Sequence, residues 1–232
     1  MSTILTGICH KELFGKEGMI YCIGAIGIVG FFVWAHHMMV VGLDIDSRAY
    51  FSAATAIISI PTAVKIFSYG STWAGSRAPK GSSISWSFWS FLICFTLGGF
   101  SGLALSSAVL DQIFHDTLFV VAHFHTVLSL GAVFGLLTAQ YYFFSVFFGV
   151  SNLEGQQMYQ VAFTLLGAIF VFFPMHWLGL AGMSRRVPEF CDMYQPSYNI
   201  GFTGTIILLI AVVFIVRNLY ILWTKPVYGS WK

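Results

Sequence analysis

Residues 118–148 read LFVVAHFHTVLSLGAVFGLLTAQYYFFSVFF, a run without a single Asp, Glu, Lys or Arg. A helix needs about 20 apolar residues to cross the hydrocarbon core of a bilayer, so this run spans one with length left over to tilt or project. Five more runs of similar character lie near Met19–Met39, Tyr50–Tyr69, Trp86–Ser107, Tyr159–Leu180 and Ile200–Trp223. The connections, such as GSTWAGSRAPKGSS (70–83) and SNLEGQQ (151–157), are too short for a soluble domain, and no fixed-period repeat stands out. Only helices and closed barrels satisfy their backbone in lipid, and none of these runs shows the ten-residue alternation of a barrel strand. The chain 1–232 therefore reads as a single all-α transmembrane domain of six helices.

Composition agrees. Hydrophobic residues make up 57% and charged residues only 9%, against roughly a quarter charged in ordinary soluble chains. That excludes a water-soluble globule, and a net charge of +2 without a basic cluster excludes a nucleic-acid partner. Cys9, Cys22, Cys94 and Cys191 form no CxxC pair and read as small apolar residues. The amino terminus has neither an Arg-rich presequence nor a short cleavable signal. With six spans both termini share one side, which carries seven Lys and Arg against three on the other. The positive-inside rule then places both termini on the cytoplasmic or matrix side and the acidic connections outside.

The polar exceptions to this pattern carry the chemistry. His123 and His125 stand two residues apart inside the fourth run, about 200° apart on an ideal helix. They leave opposite faces, so they cannot easily share one metal but can serve two cofactors, one per side. Polar groups at that depth are costly and usually functional, and two haems flanking the helix would use both rings as axial ligands. His36 and His37 close the first run, and adjacent rings converge on one ion only beside a helix end. They read equally as a copper, zinc or iron pair and as two hydrogen-bonded interfacial histidines. Asp111, His115 and Asp116 precede the fourth run, where they suit either a Mg²⁺ with waters or a solvated loop capping the next helix. Arg185 and Arg186 follow the fifth run as candidate carboxylate binders or a plain topogenic pair. Lys65, with Thr62 one turn earlier, lies deep in the second run, where a lysine marks a proton or ion path unless it snorkels. His10 and His176 read as a loop residue and a hydrogen-bonded helix-end residue.

Four segments in order, VWAHHMMVVGLDIDSRAYFSAAT, IPTAVKIFS, LDQIFHDTLFVVAHFHTVLSLGAVFG and FFPMHWLGLAGMSRRVPEF, together resemble the haem-copper oxidases, specifically subunit I of cytochrome c oxidase. The similarity runs over nearly the whole chain. The resemblance implies a terminal oxidase that reduces O₂ to water with electrons from cytochrome c and pumps protons. It implies that His36 and His37 are two of three ligands of the active-site copper, His123 the axial ligand of the high-spin haem A, and His125 one ligand of the low-spin haem A. It also implies a magnesium ion on His115 and Asp116, haem propionates near Asp111 and bound by Arg185 and Arg186, and a proton channel through Thr62 and Lys65.

The same resemblance implies what is missing. The family has about twelve spans, and these six match the second half. No HPEVY-type motif with the third copper histidine is present, nor the second axial histidine of the low-spin haem, nor the glutamate of the other proton route. Leu118 and Phe119 stand where the family usually has two tyrosines. The expectation is the carboxyl-terminal half of a split subunit, assembled in the mitochondrial inner membrane with a separate amino-terminal half and with subunits II and III. The alternatives are a quinol oxidase of the same fold and a haem-free transporter or proton relay.

Overall fold

A computed structural model of the protein describes residues 1–148 and 154–224. The chain opens with a short helix, α1 (Ser2–Cys9), which buries Ile4, Leu5, Ile8 and Cys9. The spacing of these residues sets one apolar stripe against the inner ends of α4 and α8 described below. Helix α2 follows (Lys16–Gly30), and a 3-10 turn (Trp34–Met38) comes after a break at residues 31–33. Next are α3 (Ile45–Ile57) and α4 (Ser59–Trp73), which run on as one apolar rod, then α5 (Ser83–Ser106) and the short α6 (Ala108–Phe114). Helix α7 (Leu118–Phe124) passes through a π turn at His125–Leu130 into α8 (Gly131–Phe148), and α9 (Glu154–Leu180) and α10 (Gln195–Thr224) complete the bundle.

Among the described residues five helical stretches are long and apolar enough to cross a membrane: Ile45–Trp73, Ser83–Ser106, Leu118–Phe147, Glu154–Leu180 and Asp192–Ile221. The first expected span, Met19–Met39, is helical over part of its length. Its α-helix has 15 residues, about 22 Å at 1.5 Å per residue, and the rest of the run is turn and 3-10 helix. Four glycines (18, 24, 27 and 30) weaken it, and Met19 alone is buried on it. Among the described residues it packs chiefly against α4, with Met19 reaching the buried core.

The centre is a bundle of α5, α7–α8 and α9, with α10 folded back antiparallel on α9. Its core includes Phe88, Leu92, Phe134, Leu137, Tyr141, Val161 and Ala168, all nearly inaccessible. Two devices align the site. Gly179 lets α9 approach α7 so closely that a Cβ there would overlap the backbone of Phe119. Gly98 and Gly102 do the same between α5 and the start of the π turn, under Val127 and the His123 ring. At the inner end, Glu154 accepts a hydrogen bond from the backbone N–H of Ser83, 2.8 Å, so a carboxylate of α9 caps α5. All four cysteines are free.

Candidate metal and cofactor centre

His123 is a half-buried ring whose Nδ1 lies 2.9 Å from the Gly98 carbonyl and 2.9 Å from Ser101 Oγ. A carbonyl only accepts, so Nδ1 carries the proton and Nε2 keeps its lone pair. The ring lines a cavity of about 910 Å³ enclosed by α3–α6 and the 3-10 turn. His36 and His37 line it as well. Their Nε2 atoms stand 3.0 Å apart. The spacing expected of an α-helix end does not apply here, because the chain has already tightened into a 3-10 turn. Thr55 fixes one tautomer: its hydroxyl donates to the Phe51 carbonyl at 2.6 Å, leaving its oxygen to accept from His36 Nδ1 at 3.3 Å. His36 Nε2 is therefore a free lone pair directed at its neighbour. Two imidazole nitrogens that close suit one shared ion.

His125 faces elsewhere. It is not among the cavity residues, donates from Nδ1 to the Val121 carbonyl at 2.8 Å, and stacks on Phe172 of α9 at 5.6 Å and 13°. The two rings of the His-Phe-His string thus serve different sides of the helix, as its geometry requires. Again Nε2 is left unprotonated, and the residues fit an axial ligand on each face. His176, one turn above Phe172, makes the same bond to the Phe172 carbonyl at 2.8 Å and meets the edge of Phe119. His10 closes α1 in the left-handed region.

The outer end is tied by a short antiparallel pairing. Leu118 N–H donates to Met183 O at 3.0 Å and Arg185 N–H to Asp116 O at 2.9 Å. This pairing brings the Arg185 guanidinium onto the Asp116 carboxylate. His115 Nδ1 is 3.0 Å from Asp111, and its Nε2 is 3.9 Å from Asp116. Asp111 is buried, and burial pushes its carboxyl above the usual range against the opposing pull of the His115 hydrogen bond. Asp111, His115, Asp116 and Arg185 all reach the rim of the same cavity. Arg186 is exposed beside them with positive φ. Among the described residues no three His, Cys, Asp or Glu side chains converge as a complete metal site. The His36–His37 pair and the acidic rim each fall short of three such side chains.

Thr62 lines the lower cavity wall, its hydroxyl spent on the Ile58 carbonyl at 2.9 Å. Lys65 is half-buried one turn further inward and is not part of the wall. Thr55, Gly98 and Ser101 escaped the reading of the sequence. Of these only the glycines left a trace, since Gly98 and Gly102 recur at the one-turn spacing of a close helix contact.

Residues 1–221 match the family model described as cytochrome c and quinol oxidase polypeptide I. The chain belongs to this family. Cytochrome c oxidase subunit 1 of Candida albicans is 44% identical over 91% of this chain, and that of Eremothecium gossypii is 41% identical over 95%. This oxidase polypeptide covers 40% and 41% of the length of those two relatives. A solved haem-copper terminal oxidase dimer superposes on 86% of the chain with a TM-score of 0.74, covering 41% of that structure's chain. At 16% identity it speaks for the fold alone. The family implies haem and copper, and imidazole nitrogens such as those of His36, His37 and His123 around this cavity are of a donor type that fits either.

Proposed function

We propose that this chain is the carboxyl-terminal part of the catalytic subunit of a cytochrome c oxidase, and that it works only with a separate membrane chain supplying the amino-terminal half. The observation that carries the proposal is the cavity flanked by two converging imidazoles on one side and one orientation-locked imidazole on the other, with a further imidazole on the far face of the same helix. Haem and copper, when bound, supply the electron transfer and O₂ chemistry that no side chain here can supply.

The chain's own residues orient and feed that chemistry. His36 and His37 hold copper, with Thr55 fixing the His36 tautomer. His123 holds the high-spin haem A and His125 the low-spin haem A. The spacing of two residues sets these two imidazoles on opposite faces of one helical segment, where each would hold its own haem. Asp116 and His115 present donors 3.9 Å apart, within reach of one magnesium ion completed by waters. Arg185 and Arg186 pair with haem propionates near Asp111. Thr62 and Lys65 form the inner proton route: Lys65 can carry the proton, and Thr62 stands between it and the cavity. Cytochrome c is favoured over a quinol as donor because the named relatives are cytochrome c oxidases. The setting that follows is the mitochondrial inner membrane, both termini on the matrix side, with subunits II and III as neighbours.

Affinity purification of the tagged chain in mild detergent tests this. The expected result is co-purification of a membrane chain with an HPEVY-like motif, together with copper and a haem A spectrum. An isolated 232-residue chain that bound two haems and copper and reduced O₂ would overturn the split-subunit reading. A complex without haem would leave the transporter.

A further inference from the structure

Ser101 sits one turn beyond Gly98 on α5, on the face that meets α7. Its hydroxyl donates to the Gly98 carbonyl at 2.8 Å, and its oxygen lies 2.9 Å from His123 Nδ1. The same carbonyl is 2.9 Å from that Nδ1. These three contacts close a triangle whose proton positions are determined. The carbonyl has no proton to give, so Nδ1 must carry one. The serine proton is already committed to the carbonyl, so Ser101 Oγ can only accept from Nδ1–H. A carbonyl offers two lone pairs, and helical geometry directs the Gly102 N–H at one of them. The other is shared between Ser101 O–H and His123 N–H. Ser101 Oγ, with two lone pairs of its own, is the acceptor with spare capacity.

We propose that Ser101 is a positioning residue for His123: it accepts the Nδ1 proton, aims Nε2 into the cavity and raises the electron-donating strength of the imidazole toward the iron. This rests on the assignment of His123 as ligand of the high-spin haem. A hydrogen bond on the far nitrogen of a ligating histidine fixes its tautomer and raises its basicity. In a haem ligand, greater basicity strengthens the iron–nitrogen bond and favours the ferric state. Gly102 completes the arrangement. A Cβ there would stand 2.6 Å from His123 Cε1, so the ring can lie over this position only because no side chain is present.

The experiment is resonance Raman spectroscopy of the fully reduced oxidase, purified with its completing chain, carrying wild-type protein, S101A, S101T or a His123→Gly control. In S101A the iron–histidine stretching band should fall in frequency, and the high-spin haem should become easier to reduce. S101T, which retains the hydroxyl, should keep the wild-type band. A band that depends on His123 but does not move in S101A overturns the role of Ser101 alone, leaving the serine as a helix-bonded packing residue that affects only thermal stability. A band that survives in the His123→Gly control overturns the ligand assignment and this inference with it.

Discussion

His123 and His125 differ in what each touches, and the difference predicts separable lesions. His123 faces the cavity and leans on Gly98 and Ser101; His125 stacks on Phe172 across the helix. His125→Ala should disturb the low-spin haem spectrum, whereas His123→Ala should abolish normal ligand binding at the high-spin haem. Identical losses at both haems in stably assembled variants would remove the two-sided assignment. Lys65 lies within the Ile45–Trp73 span, half-buried and outside the cavity wall. Lys65→Met keeps the length of the side chain and removes the titratable group. It should slow steady-state turnover at least several-fold through proton delivery, with haem spectra unchanged. Normal turnover would leave Lys65 a snorkelling residue.

Helices α7 and α9 approach at Gly179, and the contact is backbone on backbone. An added Cβ would overlap the backbone nitrogen of Phe119, a clash no rotamer change relieves. Gly179→Ala should therefore force the helices apart and cost at least ~3 kcal/mol, at or beyond the top of the usual overpacking range. A drop in the thermal midpoint of the detergent-solubilised complex reads this out. The start of α3 depends on charge instead. Asp44 caps it by accepting from Ser47 N–H at 3.1 Å, and the Ser47 hydroxyl, together with that backbone bond, holds its carboxyl below the usual range. A depressed folded value means that the cap's contribution is present at neutral pH and is lost as pH falls through that value. Acid titration should loosen the start of α3 in wild-type protein and leave Asp44→Asn, which keeps an acceptor, without that step. Equal acid responses in the two proteins would dissociate the cap from the carboxylate.

The molecule as a whole is unevenly buried. Of the most apolar windows, 33% is buried in each of the three central spans, but 6% in Ile45–Trp73 and 11% in the last span. Helix α2 is largely exposed apart from Met19, and Phe31 and Ile45 are among the most exposed large side chains. The proposed completing chain would cover the exposed face of α2 and α3, whereas the outer face of α10 suits lipid. Hydrogen exchange in detergent should show α2 and α3 protected far more in the assembled complex than in the isolated chain. Exchange in α5, α8 and α9 should hardly differ. Uniform protection of the isolated chain would mean that it needs no completing half.

What the sequence determined by itself was whatever periodicity and desolvation dictate. Long runs without charge must be helices in lipid, and two histidines spaced by two must leave opposite faces, since both follow from one helix and its solvent. The family followed from four motifs in order. In the first run composition shows the apolar character, but not that the α-helix there covers 15 residues before the chain passes into a 3-10 turn. Only the tertiary structure decided the tautomers of His36 and His123, the pairing of Arg185 with Asp116, and the part of Ser101. Each depends on a contact between separate elements, and around His123 that contact is set by how closely Gly98 and Gly102 let two helices approach. A lone serine in an apolar helix carries no mark of the ring that will settle against it.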